Sequence, residues 1–126
     1  MLVPDNLRYT SEHEWVETLD EDRIRVGITD YAQDALGDVV FVQLPKAEAK
    51  LSSHALLAEV ESTKSVAEVY APAAGIVVEV NQELSARPEL INQEPYGAGW
   101  FCVLRVEDGS ALDGLLDAEA YRSLIE

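Results

Sequence analysis

Seven segments of the 126-residue chain carry the pattern of strands. "HEWVET" (13–18) and "RIRVGIT" (23–29) alternate apolar and polar positions, and "DVVFVQL" (38–44) is a short apolar run. "ALLAEVE" (55–61), "SVAEVYA" (65–71), "GIVVEVN" (75–81) and "WFCVLRV" (100–106) follow the same two rules, with β-branched residues throughout. "LDEDR" reads as a hairpin connection between the first two. Two helices are predicted. Thr29 caps "DYAQDAL" with Gly37 as its stop, and Asp117 caps "AEAYRSLIE", with Ala120, Tyr121 and Leu124 on the inward face. "DGSALDGLL" reads as a turn with a short helical piece. "QELSARPELINQEPYGAG" (82–99) has no clear period, and a connection of that length in a compact domain is usually functional or specially packed. "GDVVFV" (37–42) and "GIVVEV" (75–80) share four of six residues. This is either coincidence between valine-rich strands or the trace of two similar halves.

Composition narrows the class. The length predicts one domain over residues 1–126, large enough for a core without metal or disulfide. No apolar run approaches the 18 residues of a membrane helix, and "MLVPDNLRYT" is not a signal peptide. Cys102 is the single cysteine, which fits a reducing compartment, and its strand setting makes it a core residue. A net charge of −15 disfavours nucleic acid and anionic membranes, and it would steer the chain toward partners with basic docking surfaces. His13 has no second histidine or cysteine placed to complete a metal site. Trp15 and Trp100 read as core, Gly75 and Gly97 as backbone requirements, and Arg8, Arg87 and Arg105 as surface charge.

Against that acidity, one of only three lysines, Lys64, sits in "VESTKSVAEVYAP" between two predicted strands. A hairpin over about 55–71 puts it near the tip of a five-residue connection, "ESTKS", whose short polar side chains bond loop backbone well. A solvated turn lysine is the plain reading. A Schiff-base lysine needs a pocket that lowers its pKa, and a phosphate-binding lysine needs a glycine-rich loop and a following helix. Neither surrounds Lys64. A lysine acylated by another enzyme needs a rigid, exposed turn, which a hairpin tip supplies.

"VESTKS" resembles the lipoyl-lysine hairpin of the glycine cleavage system H proteins. "LRYTSEHEWV" (7–16), "VGITDYAQDALGDVVFVQLP" (26–45), "VYAPAAGIVVEVN" (69–81), "PELINQEPYGAGW" (88–100) and "AEAYRSLI" (118–125) resemble that family in matching order. The resemblance implies a mainly β fold, a barrel-sandwich hybrid of two antiparallel sheets with barrel-like closure. The helices near 29–36 and 117–125 accompany it. It also implies lipoic acid joined by an amide to Lys64, which removes the lysine charge. About ten single bonds of ~1.5 Å give the arm a reach of roughly 10 Å or more.

The implied role is that of a non-catalytic carrier in glycine catabolism. It takes an aminomethyl group from glycine decarboxylase (P protein) to aminomethyltransferase (T protein) and is reoxidised by dihydrolipoamide dehydrogenase (L protein). Lipoate-attaching enzymes are further partners. The expected protein is a monomer of the bacterial cytoplasm, or of the mitochondrial matrix in a processed eukaryotic form. Glu12, Glu14 and Glu68 are candidate acids for docking the loaded arm, where a carboxylate would favour an ammonium and exclusion of water would protect it.

Two departures stand out. The family commonly has valine before the lysine and alanine after it, where this chain has Thr63 and Ser65. Residues 46–54 also lack the glycines usual in that loop. A lipoate relay donor and a lipoyl domain serving 2-oxoacid dehydrogenases are the alternative functions. A biotinyl carrier is less favoured, because its lysine normally lies between methionines.

Overall fold

The computed structural model describes residues 1–126. Its strands are β1 (Arg8–Tyr9), β2 (Glu14–Thr18), β3 (Arg23–Ile28), β4 (Val39–Gln43), β5 (Lys50–Leu51), β6 (Leu56–Ser62), β7 (Val66–Tyr70), β8 (Gly75–Val80) and β9 (Cys102–Val106). They form two antiparallel sheets, one of six strands in the order β1-β2-β3-β9-β8-β5 and one of three in the order β4-β6-β7. The expected mainly β, two-sheet architecture is therefore observed. The closure is not that of a hydrogen-bonded barrel, because no ladder joins the sheets. They meet through side chains. Val26, Ile28, Val77 and Leu104 from the larger sheet share one core with Val42, Val60 and Val69 from the smaller. The two similar segments at 37–42 and 75–80 lie in different sheets, as β4 and β8.

Strand ends are shorter than the apolar pattern suggested, and the two-residue strands β1 and β5 carry no period that could announce them. Trp100 and Phe101 precede β9. Phe101 belongs to the core, whereas Trp100 is half-buried with the Arg25 guanidinium 5.1 Å from its ring centre. Trp15 is buried. Its ring lies across Gly27, where an added Cβ would stand 2.6 Å away, and its indole N–H donates to Pro95 O at 2.8 Å. Gly75 is needed for a similar reason, since a Cβ there would meet the Arg105 carbonyl at 2.6 Å.

Helix α1 (Asp30–Leu36) starts at Thr29, whose hydroxyl accepts from Ala32 N, and stops at Gly37 with φ 86°. The long 82–99 connection folds into two single turns, α2 (Glu83–Ala86) and α3 (Leu90–Gln93), which bury Leu84, Leu90 and Ile91 in the main core. A 3-10 turn over Gly109–Gly114 leads to α4 (Ala118–Ile125), capped by Asp117. The inward face of α4 agrees with the expected one at Tyr121 and differs from it elsewhere. Ala118 and Tyr121 are buried while Ala120 and Leu124 face solvent, because the helix packs through Tyr121 onto Tyr9 and not onto the main core. Residues 46–54 adopt left-handed backbone at Glu48 (φ 70°) and His54 (φ 66°), the kind of position glycine usually fills. The missing glycines therefore leave two strained residues and an intact turn.

Candidate functional site

The site is built from β6, β7, α1 and the segment before β2. β6 and β7 pair from Leu56↔Tyr70 to Glu61↔Val66; β6 runs on to Ser62, so Thr63, Lys64 and Ser65 lie between the strands, three residues where the sequence suggested five. Ser62 locks this turn. Its backbone N–H donates to Ser65 O at 2.8 Å, and its hydroxyl oxygen accepts from Ser65 N at 3.0 Å and Lys64 N at 3.3 Å. The turn is tied sideways as well, by Thr63 N donating to Asp38 O at 3.1 Å.

Lys64 is exposed at the tip and takes part in no ion pair. Its aliphatic stem lies over Gly37, where an added Cβ would come within 3.1 Å of Lys64 Cε. Gly37 thus combines two duties: φ 86° and ψ −163° suit glycine alone, and the missing side chain leaves room for the lysine. Beneath it, Asn92 of α3 donates from Nδ2 to Gly37 O at 2.9 Å and to Gln33 Oε1 at 3.0 Å, while its Oδ1 accepts from Val39 N at 2.8 Å. The long connection is specially packed for this purpose. Nothing in the local sequence distinguishes Asn92, whose partners lie 53 to 59 residues away.

Beside the tip is an open cleft of about 270 Å³, lined by Glu12, His13, Tyr31, Ala32, Leu36 and Ser65 among others. Its α1 wall is pinned from behind. The Tyr121 hydroxyl hydrogen-bonds Thr29 Oγ1 at 2.7 Å and His13 Nδ1 at 2.8 Å, and the His13 ring packs on Tyr31 with centroids 4.7 Å apart. His13 pays for this with φ 73°, and burial lowers its pKa.

The three candidate acids occupy different places. Glu12 lines the cleft and lies 3.4 Å from His54 Nε2. Glu14 is buried. It accepts from Thr10 Oγ1 at 2.6 Å and from Tyr70 N at 3.2 Å, and burial raises its pKa in spite of those donors. Glu68 is exposed, pairs in register with Glu59, and is the strongest influence raising the Tyr70 pKa, with Glu12 and Glu14 acting in the same direction. All three therefore surround Tyr70, and only Glu12 lines the cleft. No cluster of His, Cys, Asp and Glu side chains is arranged to hold a metal ion. Cys102 is fully buried, which pushes its thiol pKa up to about 12.

The model of the glycine cleavage H-protein family matches residues 7–126. This chain belongs to the glycine cleavage H-protein family. It is 58% identical to the glycine cleavage system H protein of Mycolicibacterium smegmatis over 126 residues, covering 98% of this chain and 96% of that one. Its identity to the protein of the same name from Nocardia farcinica is 55%, covering 98% and 97% of the two chains. A crystal structure of a glycine cleavage system H protein from Mycobacterium marinum superposes with a TM-score of 0.88 at 40% identity, over 96% of this chain and 97% of that one. Membership in this family of carriers ties the chain to the glycine cleavage system. No helix is long and apolar enough to cross a membrane.

Proposed function

We propose that residues 1–126 act as a single lipoyl-carrier domain, with the lipoyl group on Lys64. The observation that carries this reading is a lysine held at the tip of a locked hairpin, free of ion pairs and beside an open cleft. The residues fit such a group. The Lys64 amine is accessible for amide formation, the stem has clearance over Gly37, and the cleft offers Ala32, Leu36 and Ala67 as apolar wall.

When attached, the lipoyl dithiolane supplies the group-carrying and redox chemistry, and the protein supplies address and orientation. The partners are glycine decarboxylase, aminomethyltransferase and dihydrolipoamide dehydrogenase, between which the chain shuttles the aminomethyl group derived from glycine without catalysing any step. The bacterial relatives support a cytoplasmic location.

In this reading the chain's own residues shelter the end of the arm. Glu12 faces the cleft, and Glu14 and Glu68 add negative potential around Tyr70, so a cationic group would be favoured there. Intact mass tests the assignment directly. One lipoyl increment on the wild type, absent from Lys64→Ala, is expected, and a biotin increment or none would overturn it. Exchange of glycine carboxyl with bicarbonate by the decarboxylase should then depend on the modified chain.

A further inference from the structure

Three exposed apolar side chains crowd the base of the Lys64 turn. β4 carries an irregularity between Val39 and Phe41, where Val39 pairs Ser62 and Phe41 pairs Glu61, the next residue of β6. The extra residue breaks the alternation. Val39 and Val42 are buried, and Val40 and Phe41 are both exposed, at 54% and 53%. In a regular strand Phe41 would share the buried face of Val39.

The register continues across the sheet from Phe41 to Glu61 and from Glu61 to Val66, which is 56% exposed. The outer row nearest the tip is thus apolar at both ends with one carboxylate between. The next row down is Gln43, Glu59 and Glu68. Between residues 56 and 70 the only cation is Lys64 itself. An apolar row bordered by acids, continuous with a modification site, has the form of a docking face for a protein with an apolar centre and a basic rim.

Reach selects the partner. Five bonds of ~1.5 Å separate a lysine Cα from its Nζ, so the amine extends at most about 6 Å. An enzyme that acylates Lys64 must bring its acyl carbon to that amine, and its surface must lie against the strands beside the turn. Enzymes that work on the dithiolane act farther out, at the end of the full arm. We infer that Val40, Phe41 and Val66 form the recognition face for the lipoate-attaching enzyme. This rests on the carrier reading above and names the partner that reads this face. In the step it serves, the unprotonated Lys64 amine attacks the carbonyl of an activated lipoyl adenylate. A C–N bond forms, the acyl–phosphate C–O bond breaks, AMP leaves with the bonding pair, and the amine releases one proton.

The test compares wild type with Phe41→Ser/Val66→Thr, with Val40→Lys, and with Val78→Thr as an exposed apolar control on β8. A lipoate–protein ligase with ATP and lipoate serves as the probe. Attachment is followed by intact mass and affinity by titration of the unmodified chain. The first two variants should lose at least about tenfold in kcat/KM, mostly through KM, and bind the ligase correspondingly more weakly, while the control stays within twofold. Once fully modified by long incubation, they should be reduced by dihydrolipoamide dehydrogenase at the wild-type rate. Attachment within twofold of wild type in both, or equal losses in both reactions, would overturn the inference. A wild-type chain that accepts no lipoyl group would instead remove the carrier reading beneath it. Val40→Lys places its charge at a solvent-facing position, so the test does not depend on the double variant folding.

Discussion

The turn at Lys64 and the aromatic seam at Tyr121 fix the two ends of the same helix by opposite means. At the turn, Ser62 makes its bonds within three residues, and the lysine stays in solvent. At the seam, Tyr121 is fully buried, stacks on Tyr9 with centroids 4.6 Å apart, and reaches across 92 and 108 residues to Thr29 and His13. Helix α1 runs between them, capped by Thr29 at the seam and ended by Gly37 under the lysine. A carrier needs an accessible attachment point on a wall that does not move. The difference between the regions is the difference between presenting a group and holding a frame.

Replacing Tyr121 should separate the two roles most forcefully. Tyr121→Ala removes a fully buried ring and leaves Thr29 and His13 without their shared partner, at a cost of about 3–5 kcal/mol in urea unfolding. Amide exchange should accelerate in α1 and α4 and remain slow at Ser65. If protection of Ser65 collapses equally, the turn depends on the seam and the contrast fails.

Smaller changes sharpen the comparison from the other side. Asn92→Ala orphans Val39 N and the Gly37 carbonyl, and should cost about 1–3 kcal/mol. Ser62→Ala removes only the hydroxyl that accepts from Lys64 N and Ser65 N, costing about 0.5–1.5 kcal/mol. Denaturation midpoints and lipoyl-attachment rates should then diverge. Asn92→Ala lowers both, whereas Ser62→Ala slows attachment with little loss of midpoint. A Ser62→Ala variant modified at the wild-type rate would show that Thr63 N on Asp38 O is enough to hold the tip.

The same contrast explains what was legible in the chain. The hairpin, the Thr29 cap and the Gly37 stop were readable because each depends on neighbours within a few residues. Valine alternation, a hydroxyl three positions before an amide, and glycine after an apolar turn are local signals. The bulge at Val40 was not readable, since "VVFV" is equally good as an unbroken buried run. The face of α4 was misread for a related reason. Helical period groups Tyr121 with Ala120 and Leu124, but only Tyr121 meets partners in the fold, Tyr9, Thr29 and His13, more than ninety residues away. Glu14 in "SEHEW" reads as an acid available to dock the arm, and its burial is set by Thr10 and Tyr70, which only the fold brings to it.

The smallest expected effect lies where the two regions meet, at neighbours His13 and Glu14. Burial raises the Glu14 pKa above 4.5, so the folded chain holds that proton more tightly than the unfolded one. Its contribution to stability is full below the unfolded value and is lost as pH rises through the folded value. Burial lowers the His13 pKa from 6.5, so its contribution is present above the unfolded value and is lost as pH falls through the folded one. The two residues oppose each other across the weakly acidic range. Glu14→Gln should therefore gain melting temperature relative to wild type between pH 4 and pH 7. His13→Asn, which suits the left-handed backbone there, should lose less than wild type on acidification below 6.5. Melts across that range resolve the pair. A Glu14→Gln curve parallel to wild type would mean that the Thr10 and Tyr70 donors already offset the burial of the charge, making the carboxylate a neutral strut between the frame and the hairpin.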